Sequence, residues 1–222
     1  MKKNVLLALG LVALLNHAAA QSNVKGRFSM NLGFDAGGQY CLYQERFQGN
    51  VVNEDTTGAI VTQGHFSAQY SFAPWFSLGL GFKNGNYVED PNNDNIENRN
   101  NRINQFFIAP RFYFLNKNKF NMYAGLKFGA TRLTIDELYN FTLFSIATLR
   151  EFKSSYTAID LGFNWYLSRY VGLWFNLEFN NNPLKLTRYV WNGTEQDLSD
   201  WDITLSSRGA QIALGLCFKF KE

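Results

Sequence analysis

One pair of side chains in this chain has the types and spacing of a nucleophile and its base. His65 and Ser67 are two residues apart, so they share one face if this stretch is a β-strand. A histidine can take the proton of a serine hydroxyl, but it needs a carboxylate that orients it. The sequence places no acidic residue beside His65, and the pair shares its face with Gln63 and Gln69. We therefore expect no enzyme and no catalytic residue.

Metal chemistry has little support in the sequence. The chain contains 2 histidines, His17 and His65. Residues 90–97 space acidic and amide oxygens in a way that could hold Ca²⁺, but the glycine of an EF-hand loop is missing. We interpret this run as a solvated, asparagine-rich loop and expect no metal and no cofactor. Asn192-Gly193-Thr194 has the form of a glycosylation sequon, but Asn-Gly favours a tight turn.

The elements that position these residues are strands. Eight stretches alternate apolar and polar residues over about nine residues, the length with which a tilted strand crosses a bilayer. Tight turns at residues 73–75, 116–118 and 168–169 alternate with long connections at 43–60, 84–101, 136–152 and 181–207. This alternation predicts an all-β fold: an eight-stranded antiparallel up-and-down transmembrane β-barrel with short periplasmic turns and four long extracellular loops.

The two faces of each strand have two possible orientations. A soluble, lipocalin-like barrel would enclose the apolar face. That face carries large Phe, Leu, Ile and Trp side chains on every strand, and an eight-stranded barrel has room for only a modest set inside. We therefore expect polar residues inside and apolar residues against lipid. Pro110 falls on the apolar face in mid-strand, and its missing N–H predicts a local bulge.

The N-terminus has the pattern of a cleavable export signal. Lys2 and Lys3 precede an apolar core at residues 5–15, which is too short to span a bilayer. Small residues at positions 18–20 predict cleavage after Ala20. We therefore assign residues 1–20 to a signal peptide and residues 21–222 to one barrel domain in the outer membrane. The alternative is an anchor helix that stays attached.

Charge and cysteine content narrow the class further. The formal net charge is +3 and falls to +1 when Lys2 and Lys3 are removed, so the chain has no nucleic-acid footprint. Apart from the N-terminus, no stretch is long and apolar enough for a transmembrane helix. Cys41 and Cys217 fall near opposite ends of their strands, which predicts two free thiols.

Inward-facing charges of both signs predict a polar network inside the barrel. Its expected members are Asp35, Lys83, Arg111, Lys127, Asp160 and Glu178. Buried charges persist when they are paired, and we expect Lys127–Asp160 to be the principal pair because both lie at similar heights on adjacent strands. We interpret the network as a plug. The alternative is a gated narrow pore.

The whole mature chain resembles a known class of proteins. The signal peptide, the eight strands and the final residues 213–220 resemble the small outer-membrane β-barrels of Bacteroidetes-type bacteria. The architecture is similar to the OmpA transmembrane domain, OmpX and the opacity-type adhesins. The resemblance implies a monomer surrounded by outer-membrane lipid and lipopolysaccharide and folded by the barrel-assembly machinery. That machinery usually reads a terminal aromatic residue, and here Lys221 and Glu222 follow Phe220.

Function is expected in the loops. The stretch 138–149 is unusually apolar, and Tyr139, Phe141, Phe144 and Ile146 are candidates for contact with a host or envelope protein. The alternative is that they pack on neighbouring loops. We therefore expect a plugged barrel that acts in adhesion or envelope integrity. A narrow porin-like or secretion-accessory barrel is the alternative. A lipid A-modifying esterase ranks third, because the His-x-Ser pair resembles that of lipid A deacylases but is expected to point away from lipid.

Overall fold

The computed structural model describes residues 22–89, 96–98, 100–141 and 144–220. Ten strands occupy most of this length. They are β1 (Phe28–Phe47), β2 (Asn50–Ala73), β3 (Phe76–Glu89), β4 (Ile96–Asn98), β5 (Arg102–Lys117), β6 (Phe120–Asn140), β7 (Ser145–Tyr166), β8 (Val171–Trp191), β9 (Thr194–Glu195) and β10 (Trp201–Lys219). The described part of the chain contains no helix with the length and apolarity needed to cross a membrane.

The eight long strands close into an antiparallel ring. Each of β1, β2, β3, β5, β6, β7, β8 and β10 pairs with the next, and β10 returns to pair with β1. The short strands β4 and β9 pair with β6 and β8. Closure gives each of these eight strands a ladder partner on both sides, so none of them has a free edge. The predicted all-β, eight-stranded up-and-down barrel is confirmed.

The two ends of the ring differ as the spacing predicts. At one end, which we call the turn end, tight turns join β2 to β3, β5 to β6 and β7 to β8. At the other, the loop end, the connections are long but largely strand. β1 and β2 meet at Gln48-Gly49, and β8 turns at Asn192-Gly193. All four of these residues have a positive φ, between 46° and 83°. Asn192-Gly193 is therefore a turn, as predicted.

The inside of the ring changes character along its height. In β8, Leu177 and Phe179 point outward in the half nearer the turn end, whereas Leu184 and Leu186 point inward in the half nearer the loop end. The alternation itself is unbroken, so the same face passes from polar to apolar. The inward residues of the loop half form an apolar core: Cys41, Ala59, Val61, Tyr87, Ile103, Leu133, Ile135, Phe152, Leu184, Leu186, Ile203 and Leu205.

The polar interior predicted for the strands is found in the turn half, whereas most of the loop half, which was predicted to be loops, consists of paired strands around an apolar core. Large apolar side chains cover the outside of the turn half, among them Phe34, Leu80, Ile108 and Leu214. Charged side chains such as Lys153 and Lys185 cover the outside of the loop half. The loop half thus has the polarity of a water-soluble barrel. This change of polarity was not predicted, because most residues of the loop half were assigned to loops.

Two local predictions have opposite outcomes. Pro110 does not bulge its strand, since Ile108 pairs with Phe128 and Arg111 with Gly125 in one register. The β5–β6 ladder has no pairs at Ala109 and Pro110, but its register is the same on both sides of this gap. The register shift lies between Tyr113 and Leu115 instead. The predicted bulge at Pro110 is wrong because a missing N–H removes ladder bonds without adding a residue. Both cysteines are buried and free, as predicted.

Candidate functional site

A network of buried charges crosses the middle of the ring, with Glu178 on β8 at its centre. Lys83 Nζ on β3 lies 2.8 Å from each carboxylate oxygen of Glu178, and Lys127 Nζ on β6 lies 2.5 Å from Oε2. The hydroxyl of Tyr156 also donates to this carboxylate. All four side chains are buried. The carboxylate of Glu178 therefore contacts two ammonium groups, one from β3 on the opposite side of the ring and one from β6, two strands away.

Asp35 extends the network along β1. Its Oδ2 lies 2.6 Å from Lys83 Nζ and 3.0 Å from His65 Nδ1. The expectation that no acid lies beside His65 is therefore wrong. Asp35 is paired with Gln63 and His65 with Gly33, so the two side chains are diagonal neighbours on one face of adjacent strands. This contact depends on the strand register, which a sequence separation of 30 residues does not reveal.

The Asp35–His65 pair has no hydrogen-bonded nucleophile among the described residues. His65 Nε2 is buried and without a hydrogen-bond partner there, so no hydrogen bond joins it to Ser67. The rings of Trp174 and Phe107 pack edge-on against the imidazole, with centroid distances of 4.6 and 5.7 Å. Ser67 itself is fully buried inside the ring.

Asp160 and Arg111 complete the network. Asp160 Oδ2 lies 3.7 Å from Arg111 Nε and 3.8 Å from Lys127 Nζ. Lys127 is thus closer to Glu178 than to Asp160, which corrects the expected principal pair. The register explains this, because Lys127 pairs with Ala158 and Asp160 pairs with Gly125, one diagonal step away. The guanidinium of Arg111 lies 4.3 Å from the centroid of the Tyr123 ring, a cation–π contact.

The structure thus brings all six sequence-predicted interior residues into one chain of contacts, in the order Asp35, Lys83, Glu178, Lys127, Asp160, Arg111. Sequence reasoning missed three of their partners. His65, Tyr156 and Gln211, whose Oε1 accepts a hydrogen bond from Lys83 at 3.0 Å, all lie on the polar faces of their strands. Their position on the same strand faces as the six charged residues was the signal that could have identified them.

The segment before β1 closes the turn end of the ring. Ser22 Oγ and Asn23 N donate to Asn116 Oδ1 at 3.1 and 2.8 Å, and Asn116 Nδ2 donates back to Asn23 O at 2.7 Å. Asn121 Nδ2 adds a bond of 2.9 Å to Ser22 Oγ. Ser22, Asn23 and Asn116 are buried, so this segment packs into the mouth below the charge network.

An aromatic recess opens at the loop end. It has a volume of about 310 Å³ and is lined by Tyr43, Glu45, Tyr139, Phe141, Ile146, Thr148, Arg150, Leu186, Tyr189, Trp191 and Ile203. Three of the four predicted loop contact residues, Tyr139, Phe141 and Ile146, line this recess. Phe144 stacks on Phe141 with a centroid distance of 4.9 Å and is 57% exposed. The sequence missed the wall formed by β1 and β8, which the β6–β7 hairpin meets only when the ring closes.

The lining of the recess carries one carboxylate, Glu45, and one guanidinium, Arg150, and the adjacent carboxylate of Glu137 pairs with Arg150. Arg150 Nη2 donates to Glu137 Oε2 at 2.6 Å, and this carboxylate also accepts the Tyr139 hydroxyl at 3.0 Å. Tyr43 donates to Glu45 Oε1 at 2.6 Å. Although burial opposes it, Glu137 holds the pKa of the Arg150 guanidinium above its usual range. Burial and, to a smaller extent, the neighbouring Glu137 together raise the pKa of Tyr139 to about 12.

Two further polar groups of the loop half, the Glu89 carboxylate and the Thr148 hydroxyl, are buried without interactions that fully offset the cost of burial. Burial raises the pKa of Glu89, and the carboxylates of Glu137 and Asp55 add to the shift. Thr148 is 4% exposed and lines the recess, yet its Oγ1 has no hydrogen-bond partner among the described residues. A buried hydroxyl without a partner is costly, and a ligand atom in the recess would satisfy it.

Residues 90–95, which contain most of the suggested Ca²⁺ loop, lie outside the described residues. Among the described residues, no group of three or more His, Cys, Asp or Glu is arranged to hold a metal ion.

Comparison with known proteins supports the fold and gives no information about chemistry. No family model and no curated protein matches the sequence. The structure is similar to the outer membrane protein OprG from Pseudomonas aeruginosa, with a TM-score of 0.61 and 16% identity over 91% of this chain and 100% of that one. It is also similar to the outer membrane protein AlkL, determined in DMPC bilayers, with a TM-score of 0.52 and 13% identity over 92% and 95%. At these identities the likeness establishes the fold alone.

Proposed function

We propose that this chain is an integral outer-membrane β-barrel with a plugged interior, and that it binds a protein partner at the cell surface through its loop end. The apolar belt around the turn half supports membrane insertion, since large apolar side chains face outward on every long strand there. The belt would place the turn end in the periplasm and the loop end outside the cell. Residues 1–20 would serve as the cleaved export signal.

The closed interior supports an interaction role over transport. Ion pairs cross the middle of the ring, and the segment containing Ser22 and Asn23 fills the turn end. An apolar core fills the loop half. A conducting path would have to open all three layers. The narrow-pore alternative therefore requires a rearrangement of these described interior residues.

The observation that carries the proposal is the aromatic recess, in which Glu45 has no ion-pair partner among the described residues. Tyr43, Tyr139, Tyr189 and Trp191 present ring surfaces around one cavity, and Glu45 lies on its wall. Aromatic rings attract cations, and carboxylates add to that attraction. Arg150 is already neutralised by Glu137. The recess therefore suits a cationic side chain with an apolar stem on a host or envelope protein.

The recess is tested with benzyltrimethylammonium and its uncharged isostere neopentylbenzene, added to the refolded protein in lipid nanodiscs. We expect calorimetric binding of the cation and at least tenfold weaker binding of the isostere. Tyr189→Ala should weaken cation binding about tenfold or more, within the range of a desolvated cation–π contact. Trp201→Ala removes an aromatic ring at the same end but outside the recess, and serves as the matched control.

Two results would contradict the proposal. Equal binding of the cation and the isostere would show that the recess does not select a cation, and would contradict a cationic partner. Discrete conductance steps from the same folded protein in a planar bilayer would favour the narrow channel instead. A heat-dependent gel shift of each variant establishes that it has folded before either measurement.

A further inference from the structure

We infer that the turn end carries a binding site for a phosphate group, and that its ligand is the headgroup of an anionic phospholipid in the periplasmic leaflet. The site is a cleft of about 500 Å³ lined by Arg27, Asn118, Lys119, Leu167, Ser168, Arg169 and Lys219. It is separate from the aromatic recess and does not depend on the surface role proposed above.

Charge is distributed very unequally along the barrel. In the described segments that lie between the network and the turn end, there is no Asp or Glu. The same end carries the basic residues Lys25, Arg27, Lys117, Lys119, Arg169 and Lys219. The inward acids nearest to it are Asp35, Asp160 and Glu178, which are occupied by Lys83, Lys127 and Arg111. The basic cluster at the mouth therefore has no counter-charge in the described chain.

Lys219 is the most informative member of this cluster. It is 8% exposed, and its ammonium lies 3.5 Å from the centroid of the Tyr166 ring. No described carboxylate lies within ion-pair distance of it, whereas Lys83, Lys127 and Arg111 each have one within 4 Å. Lysine is rarely buried without a partner. The ammonium of Lys219 has a ring contact but no counter-ion among the described residues, and Lys219 lines the cleft, where an anion would provide the missing charge.

Arg27 lines the same cleft and strengthens the case for an anion. Its Nη1 donates to Ser22 O at 2.9 Å, which leaves other guanidinium donors for a ligand. Two cations in one partly buried cleft repel each other, and an anion between them removes that repulsion. Arginine forks match phosphate oxygens, and lysine supplies a point charge beside them.

The position of the cleft favours a lipid as the source of the phosphate. Leu167, one of the lining residues, is 60% exposed and continues the outward apolar belt that includes Trp165 and Leu173. The cleft thus lies where the belt ends, at the level of lipid headgroups in the proposed membrane orientation. A headgroup phosphate in the cleft would leave its acyl chains beside these apolar side chains.

Native mass spectrometry of the detergent-folded protein tests the inference. Phosphatidylglycerol is the anionic probe and phosphatidylcholine the zwitterionic one. We expect at least tenfold tighter binding of phosphatidylglycerol, lost in Arg27→Gln/Lys219→Gln and kept in the charge-preserving Arg27→Lys/Lys219→Arg. The matched control, Arg46→Gln/Lys153→Gln, removes two exposed basic side chains at the loop end and should bind as the native chain does.

Inorganic phosphate distinguishes the sources. If inorganic phosphate binds the cleft as tightly as phosphatidylglycerol and displaces it at equal concentration, free phosphate is the ligand and the assignment to a lipid is overturned. If it does not, the lipid is the ligand, as proposed. Equal binding of the two lipids, or full binding by a folded Arg27→Gln/Lys219→Gln variant, would overturn the inference. The heat-dependent gel shift identifies variants that have not folded.

Discussion

The ammonium of Lys127 on β6 lies 2.5 Å from the carboxylate of Glu178 on β8, past the intervening strand β7. The contact is possible because an eight-stranded ring is so narrow that side chains from non-adjacent strands meet at its axis. Lys83 reaches the same carboxylate from β3. Ion pairs therefore link side chains across the interior of the ring, in addition to the backbone hydrogen bonds between adjacent strands.

This arrangement makes Glu178 the most costly interior charge to remove. We expect Glu178→Gln to lower the free energy of unfolding by about 3–5 kcal/mol, because it leaves two buried ammonium groups undercompensated. Asp160→Asn should cost less, since its nearest cationic nitrogen lies 3.7 Å away and its Oδ1 has no described partner. Urea unfolding of the barrel in lipid vesicles measures both. Glu54→Gln, an exposed change at the loop end, is the control. A larger loss for Asp160→Asn than for Glu178→Gln would contradict the network as described.

Stability should depend on pH through Glu89. Burial and the neighbouring carboxylates raise the pKa of Glu89 above its ordinary value of 4.5 in the folded state. The folded state then binds a proton more tightly than the unfolded state, so stability falls as pH rises from 4.5 through the raised pKa. We expect Glu89→Gln to raise stability at pH 7 and to flatten this slope.

The measurement is the urea midpoint of the native chain and of Glu89→Gln at several pH values between 4 and 8. Glu54→Gln again serves as the control and should leave the slope unchanged, because Glu54 is exposed. A parallel pair of curves for the native chain and Glu89→Gln would show that Glu89 does not titrate as its surroundings require.

The unpartnered hydroxyl of Thr148 gives a third prediction. Thr148→Val keeps the shape of the side chain and removes a buried group with no described hydrogen-bond partner, so we expect stability to stay the same or rise by about 1 kcal/mol. Thr131 is the matched control, because it is also buried and its Oγ1 donates to Asn182 Oδ1 at 2.9 Å. Thr131→Val should cost about 1 kcal/mol. Equal losses for both variants in thermal unfolding would contradict the environment described for Thr148.

The sequence predicted the ring, its turn end and the membership of the interior network, because all three depend on a period of two residues. Six charges on polar strand faces had to meet inside a narrow ring. The finer pairing was not predictable, since the Lys127–Asp160 offset and the Asp35–His65 contact depend on the register between strands. Register is set by closure of the whole barrel.

The apolar loop half was missed for a different reason. Alternation at Leu184 and Leu186 assigns both residues to one face, but it does not say whether that face is inside. The answer depends on whether lipid or water lies outside the wall. Residues 43–60, 136–152 and 181–207 were therefore interpreted as loops, although the structure continues most of them as paired strands. The recess depends on that continuation, so it was beyond prediction as well.

The apolar core of the loop half has a mechanical consequence. Because its inward side chains pack against one another, the loop half of the barrel should keep its shape without lipid around it. Tyr43 follows Asp35 by eight positions on β1, which corresponds to a height of about 20 Å for a strand tilted as in outer-membrane barrels. The recess would therefore project into the lipopolysaccharide sugar layer, clear of the hydrocarbon. In the proposed membrane orientation, a detergent belt around the lower wall would leave the recess open, so that its exposure to solvent would be the same in a bilayer and in a micelle.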